Sequence, residues 1–167
     1  YGGKTLPSLR AIVRMTADAI RPPQPEDFQV VHGDFCFSNI FYDFRAKAIR
    51  VVDPRGTMTG NTPTIYGDIR YDIAKLYHSA VGGYDLIICG QHMLEDNGGY
   101  ELALTLPADQ DIEERQVVFR ERTFAGHCMA RAAALPISIL LFLSMLPLHH
   151  DRPDRQRAFI ARALRLY

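Results

Sequence analysis

The chain has 167 residues, 47% of them hydrophobic, and its 19 basic side chains balance 19 acidic ones. That size and apolar content suit one globular unit with a substantial core. A formal charge of zero gives the whole molecule no pull towards nucleic acid or an anionic membrane surface, so the expected partner is small or neutral, with no nucleic acid and no membrane.

The chain begins at Tyr1 rather than at a methionine, and its first residues lack a charged segment followed by an apolar one. The expectation is an excised piece of a longer protein, without a secretory leader. Over residues 5–20, Leu6, Leu9, Ile12, Val13 and Ile20 recur at mostly helical spacing, and Pro22, Pro23 and Pro25 then end the helix. Residues 28–31 are a short β-prone run. Two more, 40–42 and 49–52, flank the polar stretch 43–48 and read as a hairpin. Residues 56–67, rich in Gly, Thr and Pro, read as a loop.

Ile73, Leu76, Tyr77 and Ala80 then mark one face of a helix beginning near Ile69 or Arg70, and everything downstream reads as helical. An Asn97-Gly98-Gly99 turn interrupts it, a second helix covers about 112–134, Pro136 breaks or kinks the path, and a final helix follows Pro153. The apolar run 135–148 carries Pro136 and Pro147, is too short to span a bilayer, and reads as a core helix. The fold class expected is α+β, mostly helical.

Three cysteines, Cys36, Cys89 and Cys128, lie far apart without the paired spacing of a zinc site, and read as reduced, mostly buried thiols of a cytoplasmic protein. Arg152, Arg155, Arg157, Arg162 and Arg165 outnumber Asp151 and Asp154 near the C-terminus and read as a solvated helix face. His149-His150 and His127-Cys128 make poor metal sites, because adjacent side chains diverge on a helix.

The chemistry concentrates in Val30-Val31-His32-Gly33-Asp34-Phe35-Cys36-Phe37-Ser38-Asn39-Ile40, followed by Ile49-Arg50-Val51-Val52-Asp53-Pro54-Arg55-Gly56. Phosphoryl transfer needs a carboxylate that orients the attacking hydroxyl and oxygen ligands that hold magnesium against the phosphates, all on rigid backbone. Asp34 and Asn39 put two such groups on one loop. Asp53, at the end of the next hairpin, can face them as a further metal ligand.

His32-Gly33-Asp34 with Asn39 resembles the H-G-D-x-x-x-x-N form of the kinase catalytic loop used by aminoglycoside phosphotransferases and choline kinases. The hairpin carrying Asp53 resembles that family's second metal-binding strand, and Gly67-Asp68-Ile69-Arg70-Tyr71-Asp72-Ile73-Ala74-Lys75-Leu76 resembles its G-D-P-x-x-D-L-A motif. The resemblance covers residues 30–76. It implies that residues 1–167 are one domain, the C-terminal catalytic lobe of a protein-kinase-like fold. The implied activity is that of a small-molecule kinase, moving the γ-phosphoryl of ATP or GTP, with magnesium, onto a hydroxyl of a small metabolite. By the same resemblance Asp34 orients the hydroxyl, Asn39 and Asp53 ligate magnesium, and His32 and Asp72 support the loop. Phe41 and Val52 would form an apolar floor under the nucleotide base.

The departures matter as well. Pro54 follows the metal-type Asp53, and Arg55 then has an open role within the lobe or towards an anion. No Gly-rich strand-turn-strand precedes the catalytic loop, and Gly2-Gly3-Lys4 has no strand before it. The expectation is therefore a lobe separated from its N-terminal, nucleotide-covering partner, which by itself binds nucleotide poorly and turns over little. Choline as acceptor would want an aromatic cage, for which Tyr66, Tyr71, Tyr84 and Phe37 are available. An aminoglycoside would want acids such as Glu113 and Glu114. A sugar or sugar-alcohol of a surface-polysaccharide pathway needs neither and is the acceptor class preferred. The alternative is a non-catalytic kinase-lobe module used for binding or assembly, against which the intact Asp34, Asn39 and Asp53 argue.

Overall fold

A computed structural model describes residues 5–56, 63–96, 98 and 102–167, and in it helices dominate while the strands form small antiparallel pairs. Helix α1, Leu9–Asp18, starts where the Ser8 hydroxyl accepts the Ala11 N–H, and it turns Ile12 and Thr16 inwards. Strand β1, Phe28–Val30, follows the proline cluster. Strands β2, Ile40–Asp43, and β3, Ala48–Val51, form the hairpin expected from their spacing, with Ile40 opposite Val51 and Asp43 opposite Ala48.

The stretch 56–67 is not wholly a loop. Strand β4, Tyr66–Asp68, pairs antiparallel with β1, placing Phe28 opposite Asp68 and Val30 opposite Tyr66. Helix α2, Ile69–Ala80, then begins at once, because the Asp68 carboxylate accepts the Arg70 N–H and is held by the Arg70 guanidinium at 2.6 Å.

Downstream the chain is less uniformly helical than its composition suggests. After α3, Tyr84–Ile88, a second hairpin joins β5, Met93–Asp96, to β6, Leu102–Thr105. Of the turn residues expected between them, Asn97 and Gly99 lie outside the described residues, as do Gly2, Gly3 and Lys4. Helix α4 covers only Gln110–Glu121, not the whole of 112–134. It gives way to a two-residue hairpin, β7 Thr123–Phe124 with β8 His127–Cys128, where Ala125 and Gly126 adopt positive φ of 48° and 80° that a helix cannot contain. Helix α5, Ala134–Ser144, holds Pro136 in its first turn, where the missing N–H would have had no helical partner, so Pro136 neither breaks nor kinks it. Helix α6, Pro153–Leu166, closes the chain.

The core sits where α2, α5 and α6 meet. Ile73, Tyr77 and Val81 pack with Ala132 and Ala134, while Ile87, Ile139, Phe142 and Phe159 form a second cluster. Two readings of the termini and thiols need correction. Cys36 is buried, but Cys89 and Cys128 are exposed, and all three are free. The C-terminal arginine run is not simply a solvated face. Arg162 is 9% exposed and donates to the Gly82 and Val81 carbonyls at 2.7 and 2.6 Å, while Arg155 donates to Ile88 and Arg165 to Leu104. These guanidiniums satisfy carbonyls just past α2, at the end of α3 and on β6.

A buried ionic knot fixes the start of α2. The fully buried Asp27 carboxylate accepts two hydrogen bonds from Arg21, at 2.6 and 2.9 Å, and one from the Gln24 N–H. Arg70 and His127 each approach it to 3.6 Å. The Arg21 hydrogen bonds outweigh the burial and hold this carboxyl well below the usual carboxylate range. Among the described residues no helix is long and apolar enough to cross a membrane.

Candidate functional site

The loop from His32 to Asn39 runs beside α2 and is tied to it in three places. Asp72, 5% exposed, accepts the His32 N–H at 2.6 Å with one carboxylate oxygen and the Gly33 N–H at 2.9 Å with the other. One turn on, the Lys75 ammonium meets Asp34 Oδ1 at 2.6 Å. A further turn on, the Ser79 hydroxyl accepts the Phe37 N–H at 3.2 Å. These α2 positions share a face because helical neighbours recur every three or four residues.

The loop is also tied to the β2–β3 hairpin. The His32 ring lies 2.9 Å by Nε2 from the Val52 carbonyl, and its Nδ1 accepts the Asp34 N–H at 3.3 Å. A carbonyl only accepts and an amide N–H only donates, so these partners ask for the proton on Nε2. The Arg55 N–H donates to the His32 carbonyl, and the Val52 N–H to the Asn39 carbonyl. Gly33, at φ 79°, is required here, since a Cβ would lie 2.8 Å from that of Arg55.

Within this frame Asn39 is oriented by Asp34. Its Nδ2 donates to the Asp34 carbonyl at 2.8 Å and to Asp34 Oδ2 at 3.2 Å, which leaves the amide oxygen as the group facing elsewhere. Asp53 follows Val52 directly. It is exposed, adopts a left-handed φ of 56° immediately before Pro54, and makes no hydrogen bond or ion pair among the described residues. Such a conformation costs a non-glycine residue about 1–3 kcal/mol and concentrates at functional sites. Phe41 and Val52 stand on one face of the hairpin, with Arg50 opposite Phe41, and both are largely exposed.

Among the described residues no three His, Cys, Asp or Glu side chains are grouped to hold a metal ion. Magnesium asks for less. It takes one or two protein oxygens and completes its shell with water and phosphate oxygens. The Asn39 amide oxygen and the Asp53 carboxylate, without partners among the described residues, are donors of the hard type that this ion takes.

Two cavities flank the loop. An apolar one of about 320 Å³ lies between His32, Phe35, Val51, Ile73, Leu76 and Phe124. The other, about 310 Å³, reaches from Phe37 to Leu106 and is edged by Arg115, Arg162 and Arg165 against the single carboxylate of Glu113. Glu114 instead accepts from Gln110. Tyr66, Tyr71, Tyr84 and Phe37 do not come together as rings among the described residues. Tyr84 packs on His78 and Phe159. Burial, with the neighbouring Cys36, Asp34 and Asp85, pushes its phenol up to about 12. Burial also holds His78 well below its usual value, helped by the Lys75 charge.

Sequence reasoning passed over Lys75 and Ser79. Their spacing from Asp72 was the available signal, since three and seven residues on fall on the face that Asp72 turns to the loop. The bracing by Asp72 is testable directly. Asp72→Ala strands two amide donors and should cost roughly 2–4 kcal/mol. Thermal unfolding would show the loss, together with faster hydrogen exchange at His32 and Gly33.

No family model, curated protein or solved structure matches the chain. The geometry of the loop and the motifs that compose it carry the functional reading.

Proposed function

We propose that this chain is the catalytic lobe of a small-molecule kinase of the aminoglycoside phosphotransferase and choline kinase type, with the C-terminal-lobe architecture of a protein-kinase-like fold. The observation that carries the reading is the bracing of Asp34 and Asn39 on one loop, which the Val52 N–H to Asn39 carbonyl bond joins to the segment carrying Asp53. Asp34 is held from two sides, by Lys75 and by Asn39, and Asp53, at a left-handed φ just past the adjoining hairpin, makes no hydrogen bond or ion pair among the described residues.

In the proposed reaction the oxygen of an acceptor hydroxyl attacks the γ-phosphorus of ATP or GTP. The bond to the bridging oxygen breaks, the nucleoside diphosphate leaves with that electron pair, and the hydroxyl proton passes to the Asp34 carboxylate. Asn39 and Asp53 would hold magnesium, which when bound neutralises triphosphate charge. Asp72 and His32 keep the loop rigid enough to aim Asp34, and Phe41 and Val52 offer the base an apolar surface.

A companion lobe belongs to this reading. Phe28, Val30 and Tyr66 on the β1–β4 pair, and Phe41 and Val52 beside the β2–β3 hairpin, are exposed apolar side chains of the kind that another layer of protein covers. The Phe37 cavity, with three guanidiniums against one carboxylate, favours a neutral or anionic acceptor over a polycation, which keeps a sugar or sugar-alcohol ahead of an aminoglycoside.

The test uses the complete gene product, with whatever precedes these residues, supplied with MgATP or MgGTP and offered a hexose, a sugar-alcohol, choline and an aminoglycoside in turn. Nucleoside diphosphate release stimulated by one of the first two is expected, while the 167-residue chain alone should bind MgATP only weakly in calorimetry. Absence of any nucleotide turnover by the complete protein would leave the non-catalytic module as the better description.

A further inference from the structure

Lys75 is 6% exposed, yet it carries an ammonium group. Burying such a charge costs several kcal/mol unless a partner compensates, and a pair kept only for stability is usually no better than apolar packing. Its ion-pair partner is Asp34, whose side chain is 32% exposed. The pair therefore spans the boundary between core and solvent, with the lysine inside and the carboxylate at the surface. Asp72, one turn earlier on the same face of α2, is already occupied by the His32 and Gly33 N–H groups. The Tyr84 ring lies 5.7 Å from Nζ, and His78, one turn on, is kept uncharged by burial and by Lys75 itself.

The consequence for Asp34 is geometric. Lys75 holds Oδ1 from the helix, while the Asn39 amide approaches Oδ2 from the loop. Two donors on different elements fix the plane of one carboxylate, yet each oxygen retains lone pairs towards solvent. An exposed aspartate without such a clamp would sample several rotamers and spend little time aimed at a hydroxyl.

We infer that Lys75 is a positioning residue for the proposed phosphoryl transfer, clamping the Asp34 carboxylate from the core side so that it faces the acceptor hydroxyl. This rests on the kinase reading above, and it assigns a role to a residue to which that reading gives none.

The experiment is a double-mutant cycle in the complete protein. It follows ADP release from MgATP with whichever acceptor of the panel is active, and with water as acceptor otherwise. Lys75→Met keeps length and removes charge, and it should lower kcat about tenfold or more, with KM for the acceptor and affinity for MgATP within about twofold of wild type. Lys75→Arg should recover part of the loss. In an Asp34→Asn background Lys75→Met should cost nothing further, because the group it positions is already gone.

The outcomes separate cleanly. If Asp34→Asn leaves turnover intact, the kinase reading fails and the inference goes with it. If Asp34→Asn abolishes turnover while Lys75→Met retains it, or the two losses simply add, the reading stands and the inference is overturned. A Lys75→Met protein that loses its fold while Asp34→Asn keeps it also overturns the inference and makes Lys75 part of the scaffold.

Discussion

Asp34→Asn is expected to lower kcat by roughly a hundredfold or more while nucleotide affinity stays nearly intact. Asn keeps the size of the side chain, but its single amide oxygen can accept from only one of Lys75 and Asn39, and it cannot accept the hydroxyl proton. It also leaves the Lys75 ammonium facing a neutral amide, so a modest fall in the unfolding midpoint should accompany the kinetic loss. Parallel measurements of turnover and MgATP affinity in the complete protein check this, and a variant with near wild-type kcat would remove Asp34 from the chemistry.

Asp53→Gly should show the opposite balance between stability and function. Glycine adopts a φ of 56° without the penalty that aspartate meets before Pro54, so the unfolding midpoint should hold or rise by the equivalent of about 1 kcal/mol, less whatever the freer unfolded chain offsets. Magnesium-dependent nucleotide affinity should meanwhile fall about tenfold or more, because the proposed metal site loses its charged ligand. Calorimetry of MgATP binding and thermal unfolding on the same two proteins decide it. A clear drop in stability with unchanged affinity would mark Asp53 as a structural turn residue.

The parts of the fold legible in the sequence are those whose signal is local. The β2–β3 hairpin shows in two β-prone runs around a polar turn, and α2 shows in the spacing of Ile73, Leu76, Tyr77 and Ala80. Strand β4 was hidden because Tyr66–Asp68 is three residues long, contains Gly67, and owes its extended form to β1, nearly forty residues earlier. The end of α4 was missed for a related reason. Residues 122–133 lack a proline, and the left-handed pair Ala125–Gly126 is set by pairing across a two-residue hairpin.

At the candidate site the motif residues were legible by type and spacing, but their supports were not. Lys75 meets Asp34 across 41 positions, and nothing local to either distinguishes that lysine from a solvated one. The arginine run misled for the same reason: basic residues on a terminal helix usually face water, whereas the acceptors of Arg155, Arg162 and Arg165 are carbonyls on distant elements.

The three ties along α2 run in the same order on both partners: His32 and Gly33 to Asp72, Asp34 to Lys75, Phe37 to Ser79. Helix and loop thus mesh like a rack and pinion. Inserting one residue early in the helix would turn every later tooth by about 100°, and the two strips would disengage together. Such a segment can accept exchange of individual residues during descent but not a change in their number. Any attempt to transplant the loop into another scaffold must carry 32–39 and 72–79 as one cassette.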